Sequence, residues 1–342
     1  MSNIAILPMR RDGGSPIVLT SGEPAGVAPE ITALAWQALR HEAPNAFVLI
    51  GDAGYWAARN AGAVPVKAVA TAAEALDVFN EALPVLDRKL AEHPAPGRIS
   101  PATAPKVIAA IDEAVAMALA GTVSAIVTNP IQKEALYAAG FRHEGHTDYL
   151  AHLARARGHV VTEVMMLAAP GLRTIPVTVH IPLASVPEAL TGAAIIAQAR
   201  VAAQGLQRYF GIAQPRLAFT GLNPHAGEGG AMGREEIEVI RPALAILKSE
   251  GLDVLGPLPA DTAFHPEARA RYDVILCMYH DQALIPVKTL DFHGGVNVSL
   301  GLPFIRTSPD HGTALDIAGS GKARPHSLIA AIRMAAEMAA RV

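Results

Sequence analysis

The sequence predicts an α/β fold with a largely parallel sheet. Apolar runs of strand length alternate along the chain with segments of helical periodicity, the pattern of β–α–β units. The 342 residues are 51% hydrophobic, 17% charged and only 5% aromatic, which suits an Ala/Val/Leu-built core. That length implies two domains or one large α/β unit, with a core large enough to fold without disulfide or metal staples.

The elements follow in order. Residues 1–14 read as a flexible lead-in ending in a charged, Gly-rich turn. PIVLTSG (16–22) is a buried strand, and 29–42 a helix with Pro29 near its first turn, where a missing N–H is harmless. AFVLIGD (46–52) is a second strand, followed by a helix from Ala53. Residues 65–87 mix strand and helix, and the Pro-rich 91–103 is a loop. Helical periodicity with a Gly stop marks 105–121. Further strands are expected at 123–130, 163–169, 175–180, 216–225, 273–280 and 295–301, with helices at 184–209, 233–250 and 325–341.

Composition excludes several classes. The net charge of −3 and pI near 6.5 give no basic footprint for nucleic acid. No apolar run reaches the ~18 residues of a membrane helix. The single cysteine, Cys277, forms no framework within the chain and reads as a buried packing residue. The first residues lack the charged start and apolar stretch of a secretory leader, so the expected location is cytoplasmic.

Ligands of open α/β sheets bind beyond the carboxyl ends of the strands. His180, His225 and His280 follow three separate apolar runs, with Asp281 beside the last. Neutral imidazole is the commonest transition-metal ligand, and three protein ligands with an open position make a catalytic site. The alternative is three strand-end histidines bonded to backbone carbonyls. His146 and Thr147 could bond a hydroxyl or phosphate, or Thr147 could cap the helix that follows. Lys288, Asn297 and Arg306 lie in a neutral stretch, where the two cations suit phosphate or carboxylate binding. GLNPHAGEGGAMG (221–233) fits a ligand-approaching loop between strand and helix. The chain carries neither a Walker loop nor a Rossmann fingerprint.

Seven ordered segments closely resemble the 4-hydroxythreonine-4-phosphate dehydrogenase family of pyridoxal-phosphate biosynthesis. They are SGEPAGVAPE (21–30), GHTDYL (145–150), TVHIPL (178–183), GLNPHAGEGGAMGREE (221–236), GPLPADT (256–262), MYHDQALIPVK (278–288) and GVNVSLGLPFIRTSPDHGTALDIAG (295–319). The first motif and HGTALDIAGSGKARP are more distantly similar to isopropylmalate and isocitrate dehydrogenases. That similarity implies a two-domain fold of α/β/α layers with an interdomain active site. The expected domains are 1–125 with 290–342, and 126–289.

The resemblance implies NAD(P)-dependent oxidation of 4-phosphooxy-L-threonine to 2-amino-3-oxo-4-phosphooxybutanoate, which decarboxylates to 3-amino-2-oxopropyl phosphate. It implies His180, His225 and His280 as ligands of one divalent ion per site: zinc, magnesium or cobalt, with nickel also suited to imidazole. His146, Thr147, Lys288, Asn297 and Arg306 become substrate-binding residues, and Gly312 and Asp316 belong to the late loop that holds the dinucleotide. A homodimer with an active site shared between subunits is implied. Lys288 is the catalytic candidate, with His146, Asp261 and Asp281 as other possible bases. Two other readings stay open: a dehydrogenase of threonate or erythronate 4-phosphate, and a metal-dependent lyase or hydrolase without a dinucleotide.

Overall fold

The computed structural model describes residues 14–342, so all but the last residue of the expected lead-in lies outside the described residues. The chain forms two compact units. One runs to Val161 and resumes over Leu302–Ala340; the other is Thr162–Gly301. The first unit is therefore discontinuous. The segment 126–161 clusters with it and 290–301 with the second, so the divisions fall later in the chain than the expected 125/126 and 289/290.

The first unit opens with β1 (Ile17–Thr20), α1 (Ala28–Leu39), β2 (Phe47–Gly51), α2 (Ala53–Arg59), β3 (Val66–Val69), α3 (Glu74–Val78) and β4 (Leu83–Asp87). α4 (Ala104–Leu119), β5 (Ile126–Thr128), α5 (Lys133–Ala138) and α6 (His146–Ala156) follow. The second unit holds β6 (Val164–Ala169), β7 (Leu172–Pro176), α7 (Val186–Ala189), α8 (Gly192–Phe210), β8 (Arg216–Thr220), α9 (Arg241–Ser249), β9 (Asp253–Leu258), α10 (Pro266–Arg269), β10 (Val274–Cys277), α11 (His280–Leu290) and β11 (Val296–Leu300). β12 (Arg306–Pro309) and α12 (His326–Ala339) return to the first.

In the first unit the strands run β3-β4-β2-β1-β5-β12, each paired parallel to its neighbour. β1 (IVLT) is buried throughout, as a parallel strand covered on both faces must be. α4 turns Val107, Ile111, Ala114 and Val115 inward, one apolar stripe at helical spacing. That stripe joins Ile126, Leu150 and Phe304 in one core cluster. Asp52 caps α2 by accepting from the Gly54 and Tyr55 amides.

In the second unit the order is β11-β6-β7-β10-β8-β9. β6 pairs antiparallel with both β7 and β11, while β7, β10, β8 and β9 run parallel. The parallel expectation thus holds except around β6, where two intervening residues, too few for a crossover, force a hairpin with β7. The expected helix 184–209 divides at Leu190–Thr191, and the Thr191 hydroxyl accepts from the Ala194 amide to start α8. The helix expected from 233 opens with a wide turn at Glu236–Ile240 before α9.

Three expected strands stop short of their histidines. β7 ends at Pro176, β8 at Thr220 and β10 at Cys277. His180 lies beyond its strand with a φ of +46°, and His280 opens α11, a helix the sequence pattern does not announce.

Candidate active site

Each unit carries one group of the expected site residues. In the first unit, Arg306 begins β12 and is 2% exposed. Its Nη2 donates to Thr128 Oγ1 at 2.6 Å, at the end of the neighbouring β5. Burial pushes the guanidinium pKa down to about 9. His146 starts α6 after Gly145. The residue is half-buried, but its Nε2 is shut from solvent and has no hydrogen-bond partner among the described residues. Burial, then the charges of Arg306 and Lys133, hold its pKa well below the usual imidazole range. Arg306 and Lys133 thus both disfavour a charge on this ring. Thr147 sits within the first turn of α6, and the helix has no side-chain cap, so the capping alternative does not hold.

The late segment that carries Gly312 and Asp316 is anchored on the SGEPAGV turn. Thr313 O accepts from the Val27 amide at 3.0 Å, and Thr313 Oγ1 donates to Gln132 Oε1 at 3.0 Å. Glu30 accepts from the Gly319 amide. Gly26 has no room for a side chain, since a Cβ there would lie 2.7 Å from Thr313 O. Gly312 and Asp316 are both exposed.

In the second unit, His180 and His280 come together with ring centroids 5.7 Å apart. His280 Nδ1 and Asp281 Oδ1 are 2.7 Å apart. With Nδ1–H donated to that carboxylate, the Nε2 lone pair is left for a ligand, the orientation that metal-binding histidines use. Neutral imidazoles are donors of the kind that suit a divalent transition metal. His225 does not join them: among the described residues no group of three or more His, Cys, Asp or Glu side chains is gathered closely enough to hold a metal.

His225 is exposed on a loop of unusual backbone. His225 through Gly229 are all left-handed, with φ between +41° and +78°. Three of the five, His225, Ala226 and Glu228, are not glycine, and each such residue costs roughly 1–2 kcal/mol. Lys288 lies in the last turn of α11, its Nζ 5.5 Å from the Phe292 ring centroid. Asn297 is half-buried on β11, and its Oδ1 is buried without a hydrogen-bond partner. Asp261 is exposed on a short turn and caps no helix.

Comparisons place the chain. The model of a family described as pyridoxal phosphate biosynthetic protein PdxA matches residues 43–335. A 4-hydroxythreonine-4-phosphate dehydrogenase of Caulobacter vibrioides is 57% identical over 328 residues, spanning 95% of this chain and 98% of that one. The chain belongs to the PdxA family. A second relative of the same name, from Bradyrhizobium diazoefficiens, is 50% identical over 345 residues, 97% of this chain and 99% of that one. The crystal structure of a 4-hydroxythreonine-4-phosphate dehydrogenase from Klebsiella pneumoniae superposes with a TM-score of 0.81 at 36% identity, covering 95% of this chain and 100% of that one. As a PdxA-family member the chain is an oxidoreductase, as its motifs imply. Among the described residues no helix is long and apolar enough to cross a membrane.

Sequence reasoning missed several residues that the PdxA-family fold places around these groups. Thr128 receives Arg306. Gln282, 9% exposed, accepts from Thr220 Oγ1 and the Met278 amide and donates to Gly221 O. Glu23 ends the β1 turn as a buried carboxylate bonded to the Ala25 amide, and burial pushes its pKa up. Glu236 is buried beneath the His225 loop. Polar residues of this kind carry no sequence signal, because a buried and an exposed glutamine read alike.

Proposed function

We propose that the protein oxidises 4-phosphooxy-L-threonine at its C3 hydroxyl with NAD(P)⁺ and a divalent metal. The product, 2-amino-3-oxo-4-phosphooxybutanoate, loses CO2 to give 3-amino-2-oxopropyl phosphate for pyridoxal 5′-phosphate biosynthesis. The observation that carries the reading is the buried Arg306 guanidinium held by Thr128, in the unit that also buries the unpartnered His146 Nε2, in a chain whose relatives are named for a phosphorylated substrate.

Arg306 and Lys133 bind and orient the substrate's anionic groups, and an anion beside Arg306 offsets the cost of burying its charge. His146 and Thr147 add hydrogen bonds to the same groups. The buried Asn297 Oδ1 accepts from a substrate N–H or O–H. Gly312 and Asp316, on the segment anchored beside the SGEPAGV turn, are assigned to the dinucleotide.

His180, His225 and His280 are the metal ligands, drawn from two copies of the chain, so a homodimer belongs to this reading. A divalent cation held by them supplies a Lewis acid for the substrate hydroxyl. Asp281 orients His280. The oxidation would take a hydride from C3 to NAD(P)⁺ and leave this chain to receive the hydroxyl proton on a base. The cations that depress His146 oppose its protonation, which makes it a poor base. Asp281 is engaged by His280, and we assign the proton to Lys288.

The test is reduced-nicotinamide formation by purified protein, with and without chelator, on 4-phosphooxy-L-threonine, 4-phosphothreonate and 4-phosphoerythronate. Chelator-sensitive turnover of the amino acid alone is expected. Preference for a sugar acid would move the substrate assignment, and turnover of none would remove the dehydrogenase reading for these substrates.

A further inference from the structure

The left-handed loop that carries His225 is strained, so something must hold it. We propose that Glu236 is a positioning residue: through Asn223 it fixes the loop that presents His225 and thereby sets the metal affinity of that histidine. The proposal rests on reading His225 as a metal ligand.

Glu236 is 1% exposed. A buried carboxylate is tolerated when its oxygens are hydrogen-bonded. Oε1 accepts from the Asn223 amide at 2.8 Å, and Oε2 accepts from Asn223 Nδ2 at 3.0 Å. Asn223 Nδ2 also donates to Glu235 Oε2 at 2.7 Å. The same Asn223 accepts the Ala226 amide through its carbonyl at 3.1 Å. Asn223 is thus clamped on both sides at the point where the left-handed run begins.

The carboxylate also shapes the glycines. A Cβ on Gly221 would stand 2.8 Å from Ala226 Cα and 3.0 Å from Glu236 Oε1, and one on Gly227 would collide with Oε2. Gly227 also has a φ of +78°. Glycine at both positions lets the loop lie directly on the buried carboxylate. The GLNPHAGEGGAMG segment owes these two glycines to an internal anchor rather than to a ligand's approach.

The test uses the full-length, metal-stripped chain and Co²⁺ as the probe. Co²⁺ affinity and its visible absorption are measured beside hydrogen exchange of the Ala226 and Met232 amides, both bonded within the loop. Glu236→Ala is expected to weaken Co²⁺ binding by about 10- to 100-fold, the usual effect of removing a group that orients a metal ligand. It is also expected to speed exchange in the loop, while Leu217–Phe219 of β8 stay protected. Glu236→Gln keeps one acceptor and should fall between. Gly227→Ala, which crowds Oε2, should give the same two changes. If Glu236→Ala fails to fold, Glu236→Gln and Gly227→Ala carry the test. Unchanged Co²⁺ affinity and unchanged loop exchange in the folded variants would overturn the proposal. If the parent chain binds no Co²⁺, or His225→Ala binds it as tightly, the metal reading of His225 falls and the affinity claim with it. The exchange arm then decides separately whether Glu236 holds the loop.

Discussion

Arg306 and Thr128 stand 178 positions apart in the sequence and are joined by a 2.6 Å hydrogen bond at the start of β12 and the end of β5. The bond fixes a buried guanidinium at the edge of the first unit's parallel strands.

Arg306→Ala should raise KM for the phosphorylated substrate by about 10- to 100-fold, the range for losing a hydrogen bond to a charged group. Lysine at this position should not restore it, because a point charge cannot reproduce the planar fork. Steady-state kinetics check both variants. An unchanged KM in Arg306→Ala would take the residue out of the substrate site.

His146 gives a pH dependence of definite sign. Its folded pKa lies well below the usual imidazole value of about 6.5, so below that pH the unfolded chain binds more protons at this ring than the folded one. Stability from this group is therefore present above about pH 6.5 and is lost as pH falls toward the depressed folded pKa, by at most about 1.4 kcal/mol per pH unit. Urea unfolding between about pH 5 and 8 should show this slope in the parent chain and a shallower one in His146→Gln. Equal slopes would mean that the ring is not held neutral.

His225→Gly should separate stability from function. Glycine removes the left-handed penalty of about 1–2 kcal/mol and adds back roughly 0.5–1 kcal/mol of chain entropy. The metal-free variant should melt up to about 2 °C higher than the metal-free parent. It should also lose metal binding and nearly all turnover. A lower melting temperature would show that the backbone there is not strained.

Gln282→Leu should destabilise the fold by about 2–4 kcal/mol, since it strips partners from the Met278 amide, Gly221 O and Thr220 Oγ1 in a buried place. Equilibrium unfolding in urea measures this, and a loss below about 1 kcal/mol would mean that the freed groups find other partners.

Much of the fold was legible because continuous apolar runs and helical stripes carry their own period. β1, β2, β6 and β11 lie where those runs are. β12 was not legible, since RTSP is polar and becomes a buried strand only through distant partners, such as Ala331 O for Thr307 Oγ1. α11 was masked by Pro286 inside it. His180 and His280 stood out as candidates by their place after apolar runs, and their rings lie side by side, although neither ends a strand. Gln282 could not be found, because its partner Thr220 is 62 positions away.

The return of the chain to the first unit at Leu302 also has a consequence for biogenesis. A ribosome delivers the whole second unit before β12 exists. Until the last forty or so residues emerge, β5 presents an open edge, and such edges invite pairing with other chains. The buried Arg306–Thr128 bond is therefore among the last features to form during synthesis. A nascent or prematurely terminated chain would carry a complete set of candidate metal histidines but no guanidinium to receive the substrate.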